Sequence, residues 1–139
     1  MASKKLMDMM NRAIARELQV SIQYMWQHAQ WMGIHGYAAH DELKKIGIAE
    51  MKHAEKIAER LFYLGGIPTT RPDVISVGTT LKEMLDGDIK SEDEAIKMYK
   101  EIIPMAEKEG DLTTAHIFIE ILMQEEEHQR TFTGLNKKS

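Results

Sequence analysis

The sequence predicts an all-α fold, a bundle of four long helices built as two antiparallel hairpins joined by a long crossover. Three observations lead there. Glycine-bearing breaks, "HG" at 35 and 36, "GGIP" from 65 to 68 and "EGD" from 109 to 111, divide the chain into four segments of helical length. Within each segment apolar residues return about every 3.5 positions, the interval that keeps one seam of a helix against its neighbours. The first and third links are short, whereas the stretch from Thr69 to Gly78, with Pro72, is a longer crossover.

The first segment, from about Ser3 to Ile34, sets Met10, Glu17, Tyr24 and Trp31 on one line. The second, from about Ala38 to Leu64, carries Leu43, Glu50, Ile57 and Leu64, with Ile46 and His53 on a companion line. The third, from about Thr79 to Lys108, carries Leu85, Glu92, Tyr99 and Ala106. Pro104 falls inside it and is expected to kink the helix without ending it, because "MAEKE" resumes the helical pattern. The fourth, from Asp111 to about Thr133, carries Phe118, Glu125 and Phe132, beside Ile121, His128 and Leu135. At roughly 1.5 Å per residue these segments make rods of about 45 Å.

Composition narrows the function. A chain of 139 residues with 43% hydrophobic and 29% charged residues has the size and content of one domain, spanning 1–139, with a sizeable core. It has no run of about 18 apolar residues, and "MASKKLMDMMNR" lacks the pattern of a secretory signal, so a cytoplasmic location is expected. The absence of cysteine removes disulfides, thiolate metal sites, iron–sulfur clusters and cysteine nucleophiles. A net charge of −4 gives no electrostatic reason to expect nucleic acid.

One acid interrupts each otherwise apolar or aromatic seam: Glu17, Glu50, Glu92 and Glu125. His53 and His128 stand three residues after the second and fourth of these. Isolated charges in a core cost several kcal/mol or are neutralised by shifted pKa values, so something cationic must compensate them. No seam supplies a lysine or arginine, which leaves bound metal. Carboxylate oxygen and imidazole nitrogen suit iron or manganese, and six ligands are too many for one ion but suit two. The alternative is a set of solvated surface acids. The Glu-x-x-His spacing alone is weak against it; the argument is that both pairs and a Glu from each remaining helix face inward together. His28, His35, His40 and His116 have no acid three residues earlier, and His35 and His40 are read as loop or surface residues.

The stretches "ARELQVSIQY", "AEMKHAEKIAERLFYLGGIP", "EMLDGDIKSE" and "IEILMQEEEH" resemble the bacterioferritin branch of the ferritin-like proteins, from about residue 6 to 135. The resemblance implies a ferritin-like four-helix bundle with a di-iron centre. Glu17 and Glu92 would be its terminal carboxylates, Glu50 and Glu125 the bridging ones, and His53 and His128 would each cap one iron. It further implies that Met51 binds the iron of haem b or a related porphyrin shared between two subunits. One helical step of about 100° takes Met51 off the interior line that holds Glu50. Small neighbours Gly47, Ala54 and Ala58 leave room there, with Leu18 and Met25 on the adjoining flank; Lys52 could meet a porphyrin carboxylate. An ordinary methionine contact between subunits is the plainer reading of Met51.

By the same resemblance the chain is a ferroxidase: two Fe(II) each give one electron to O2 or H2O2, for iron storage or detoxification. Tyr24, on the line of Glu17, is a candidate hydrogen-bond or electron donor near the centre. A ferredoxin-type protein is the reductant expected. The sequence departs from the family pattern in two respects. The short tail "QRTFTGLNKKS" has no fifth helix, which favours a 12-subunit shell built from dimers over 24 subunits, or a dimer alone. Ile46 and Ala49 stand where an inner-surface iron site would have His and Asp. Two other functions compete: a haem-carrying or electron-transfer dimer, and a rubrerythrin-like peroxidase, disfavoured because a rubredoxin domain needs cysteines.

Overall fold

The computed structural model describes residues 2–31, 33–34 and 36–137. It contains α1 (Lys4–Ala29), α2 (Tyr37–Tyr63), α3 (Leu81–Lys108) and α4 (Leu112–Asn136), with no strand among the described residues. Local chemistry starts three of them. The Ser3 hydroxyl accepts from the Leu6 amide, Thr80 from Glu83 and Asp111 from Thr114, each satisfying an otherwise orphaned N–H of a first turn. Glu83 also reaches back to accept from the Thr79 amide and hydroxyl, so the start of α3 is held from both sides. The helix α2 instead begins after Gly36, at φ 71, a conformation that favours glycine.

Two expectations about the elements change. The first helix ends at Ala29, five residues before the expected Ile34, and the chain between α1 and α2 is a true connection with positive φ at Gly33 and Gly36. Trp31 leaves the helical seam and its indole N–H donates to the Gly33 carbonyl. Pro104 lies within a continuous α3, as expected.

The core falls into two apolar clusters. One joins Leu6, Met10 and Ile14 of α1 to Ile57 and Leu61 of α2, Tyr99 and Ile102 of α3 and Phe118 of α4. The other joins Val20 and Tyr24 of α1 to Leu43 and Ile46 of α2, Leu85 of α3 and Phe132 of α4. Along α1 and α4 the first cluster precedes the second; along α2 and α3 the order is reversed. The helices therefore run up, down, down and up, and the segment between α2 and α3 travels the length of the bundle. It does so along α1. Asn11 donates to the Ile67 carbonyl and accepts from the Thr69 amide, Asp73 N–H donates to the Ala15 carbonyl, and Gln27 donates to the Val77 carbonyl. On every helix the gap between the two clusters is filled by buried polar residues.

Candidate metal centre

Apart from Asp88 of α3, to which Gln23 and Gln27 of α1 donate, those polar residues are Arg16 and Glu17 from α1, Glu50 and His53 from α2, Glu92 from α3, and Glu125 and His128 from α4. All four glutamates are fully buried. The i, i+3 spacing on α2 and α4 puts acid and imidazole on one face of each helix. His53 Nδ1 lies 2.9 Å from Glu50 Oε1, 3.6 Å from Glu17 Oε2 and 3.7 Å from Glu125 Oε1. His128 Nδ1 lies 3.0 Å from Glu125 Oε1, 3.4 Å from Glu50 Oε1 and 3.7 Å from Glu92 Oε1. The six residues expected from the sequence thus form two overlapping groups of four donors: Glu17, Glu50, His53 and Glu125, and Glu50, Glu92, Glu125 and His128. Within each group the donor atoms lie within 4.8 Å of one another, and the groups share Glu50 and Glu125.

Neighbouring side chains hold the donors in place. The Tyr99 hydroxyl donates to Glu17 Oε1 at 2.5 Å, and the Tyr24 hydroxyl to Glu92 Oε1 at 2.9 Å. Gln124 Oε1 lies 2.7 Å from His53 Nε2, which fixes the ring with Nδ1 toward the carboxylates. Periodicity had put Tyr99 on the right seam without a role; Gln124 carried no signal in the sequence.

Arg16 overturns one step of the sequence argument, that no cation lies inward. Its backbone is off the line of Glu17, but three methylenes carry the guanidinium back into the centre, where the side chain is 4% exposed. It bonds Glu17, Glu50 and Glu125 and lies 3.0 Å from Glu92 Oε2. One guanidinium does not saturate four carboxylates. Glu17 Oε2, Glu50 Oε1, Glu92 Oε2 and His53 Nδ1 are buried with no hydrogen-bond partner among the described residues; the Arg16–Glu92 approach is close but poorly aligned. Buried oxygen and nitrogen atoms left over in this way are what a divalent metal would use, so the donor set fits iron or manganese.

The charges at the centre are strongly interdependent. Burial pushes Glu125 well up, reinforced by the charges of Glu17 and Glu50, and takes Glu92 to about 7 with Glu50 beside it. Burial acts the same way on Glu50, but Arg16 and the nearby imidazoles of His128 and His53 hold it well below the usual carboxylate range. Burial would lower the imidazoles; Glu17 and Glu50 instead take His53 up to about 10, and Glu50 and Glu92 take His128 to about 9.

Met51 lies outside the bundle, 46% exposed, on an apolar groove of ≈ 570 Å³ shared with Ile22, Met25, Trp26, Ile48 and Lys52. Of the small residues expected to line it, Gly47 does, but it is buried, with a would-be Cβ 3.5 Å from the α1 backbone. Ala54 is buried and does not line the groove. These two small residues serve close packing within the chain. The other histidines stay away from the six: His28 and His40 pack against each other with ring centroids 4.1 Å apart and planes tilted by 35°, and His116 pairs with Glu120 at the surface. His35 lies outside the described residues.

Fold and site define a ferritin-like four-helix protein, and residues 7–138 match the Ferritin family, described as a ferritin-like domain. A bacterioferritin of Desulfovibrio desulfuricans is 34% identical over 125 residues, 89% of this chain and 70% of that protein. One from Brucella melitensis is 33% identical over 127 residues, 89% of this chain and 78% of its own. The chain belongs to the bacterioferritin family, whose members store iron. Among solved structures it resembles the Desulfovibrio desulfuricans bacterioferritin, determined with its diiron site in different catalytic states, at TM-score 0.88 and 32% identity over 95% of this chain and 78% of that one. A Mycobacterium tuberculosis bacterioferritin gives TM-score 0.89 at 25% identity, covering 96% and 86%. No helix of the described residues is long and apolar enough to cross a membrane.

Proposed function

We propose that the chain is a ferroxidase that oxidises Fe(II) to Fe(III) at the centre formed by Glu17, Glu50, His53, Glu92, Glu125 and His128, as a step of iron storage and detoxification. The observation that carries this is the pair of four-donor groups sharing Glu50 and Glu125, the arrangement expected where two ions sit side by side with two carboxylates between them. Glu17 and Glu92 are then the outer carboxylates and His53 and His128 the end ligands. Fe(II) is the substrate and O2 or H2O2 the acceptor; with H2O2, two electrons from two Fe(II) and two protons yield two waters. The protein binds and orients. Tyr99 and Gln124 restrain Glu17 and His53, while Tyr24 holds Glu92 and is placed to pass a proton or an electron to its neighbourhood. The test is anaerobic Fe(II) uptake: the parent should bind two equivalents per chain more than a Glu50→Ala/Glu125→Ala variant. Equal uptake by the two sinks the reading.

The exposed thioether of Met51 on an apolar groove supports a second component, a porphyrin bound between two copies with one Met51 from each, Lys52 facing its carboxylates. A dimer of this kind would be the unit from which a shell is assembled.

A further inference from the structure

Arg16 is bonded to the same carboxylates that a metal ion would need. Its Nη1 donates to Glu17 Oε1 at 3.2 Å, to Glu50 Oε2 at 2.9 Å and to Glu125 Oε2, and its Nη2 lies 3.0 Å from Glu92 Oε2. These are all four carboxylates of the two donor groups. A divalent ion held by their remaining oxygens would lie against the guanidinium, and two cations in contact in a buried site repel strongly. One must leave.

The side chain has a destination. Beside the centre lies a cavity of ≈ 380 Å³ whose lining includes Arg16 itself, the carboxylates Asp73, Glu94 and Glu101, and the cations Arg12 and Lys97. Three acids face two bases there, so a third cation restores balance. The seat at the centre also leaves one donor unmet, since Arg16 Nε is buried with no hydrogen-bond partner. Rotation about the methylenes moves the guanidinium from buried carboxylates to exposed ones without moving the helix.

We propose that Arg16 is a displaceable counter-ion, which holds the four carboxylates together until Fe(II) arrives and then swings into the cavity lined by Asp73, Glu94 and Glu101. This rests on reading the six residues as an iron centre and adds to that reading how the centre is filled. It makes filling an exchange of cations, so an ion that binds carboxylates weakly does not displace the guanidinium.

The test uses the full chain with Co(II) as a redox-silent probe, followed by calorimetry, and thermal melting in chelator. Arg16→Met should bind Co(II) at least about tenfold tighter than the parent and should melt at lower temperature in chelator, where the buried acids have lost their partner. Glu94→Gln/Glu101→Gln, at two exposed positions, should melt unchanged in chelator and bind Co(II) more weakly. Co(II) binding by Arg16→Met no tighter than by the parent overturns the exchange. If that variant does not fold, the double variant decides, and unchanged binding there overturns it. Uptake of neither Co(II) nor Fe(II) above the Glu50→Ala/Glu125→Ala level overturns the iron centre and the exchange together, whereas normal uptake indifferent to Arg16 overturns the exchange alone.

Discussion

At the scale of the residue, the centre is a set of groups whose protonation is set by one another. His53 and His128, taken to about 10 and about 9, carry protons at neutral pH, while coordination needs a bare Nδ1. Filling the centre should therefore release protons, and Co(II) or Fe(II) affinity should rise with pH between 6 and 9. Calorimetry in buffers of different ionisation enthalpy counts the protons; an affinity independent of pH contradicts the assignment of both histidines as ligands. The stability of the chelated protein should move the other way. A group whose pKa is raised on folding stabilises the fold below its unfolded value, about 6.5 for histidine, and that contribution is lost as pH climbs through about 9 and 10. Glu92, raised to about 7, adds to the fall, since its ionisation is opposed in the folded state. Melting in chelator should thus drop steadily from pH 6 to pH 10.

At the scale of the element, the start of α4 depends on Asp111, which caps Thr114 through both carboxylate oxygens and receives Arg60 Nη2 at 2.7 Å. Burial acts to raise Asp111, but Thr114 and Arg60 outweigh it and hold it below its ordinary value. Asp111→Ala should cost about 1–2 kcal/mol, read as a lower melting temperature with metal uptake retained, because the cap lies more than three turns from Glu125. The capping contribution is present above the unfolded pKa, about 3.8, and is lost as pH falls through the lower folded value. At pH 7 the variant and parent should differ most, and the difference should shrink in strong acid.

At the scale of the whole molecule, the bundle leaves one face unfinished. Trp26, Ile48 and Met51 are 52%, 42% and 46% exposed around a single groove, more apolar surface than an isolated helical bundle gains by showing. The proposed second copy, with a porphyrin between the two, would cover it. Native mass measured with porphyrin content on the same sample should show dimers or multiples of them. Met51→Leu should lose the porphyrin spectrum and keep Fe(II) oxidation, since the groove and the centre share no donor. Retention of the spectrum by Met51→Leu rules out thioether ligation, and loss of iron oxidation with it favours the haem-carrying dimer over the ferroxidase.

The amino-acid sequence by itself determined the four segments, the long crossover and the six inward residues. All of these rest on side-chain type and spacing along one helix, which a period of about 3.5 makes readable without neighbours. Glu94, Glu126 and Glu127, close to Glu92 and Glu125 in the chain, fall off the buried line and are exposed. What tertiary structure alone decided is how those residues are partnered. Arg16 sits off the seam, and no periodicity reports that a long flexible side chain turns back to reach four carboxylates on four helices. Gln124 stands beside Glu125, a proposed ligand of its own helix, and orients a histidine of another. The path of the crossover along Asn11, Ala15 and Gln27 is likewise settled by contacts between segments distant in the chain. Spacing identifies which atoms are buried together; only packing determines which of them a single guanidinium can reach.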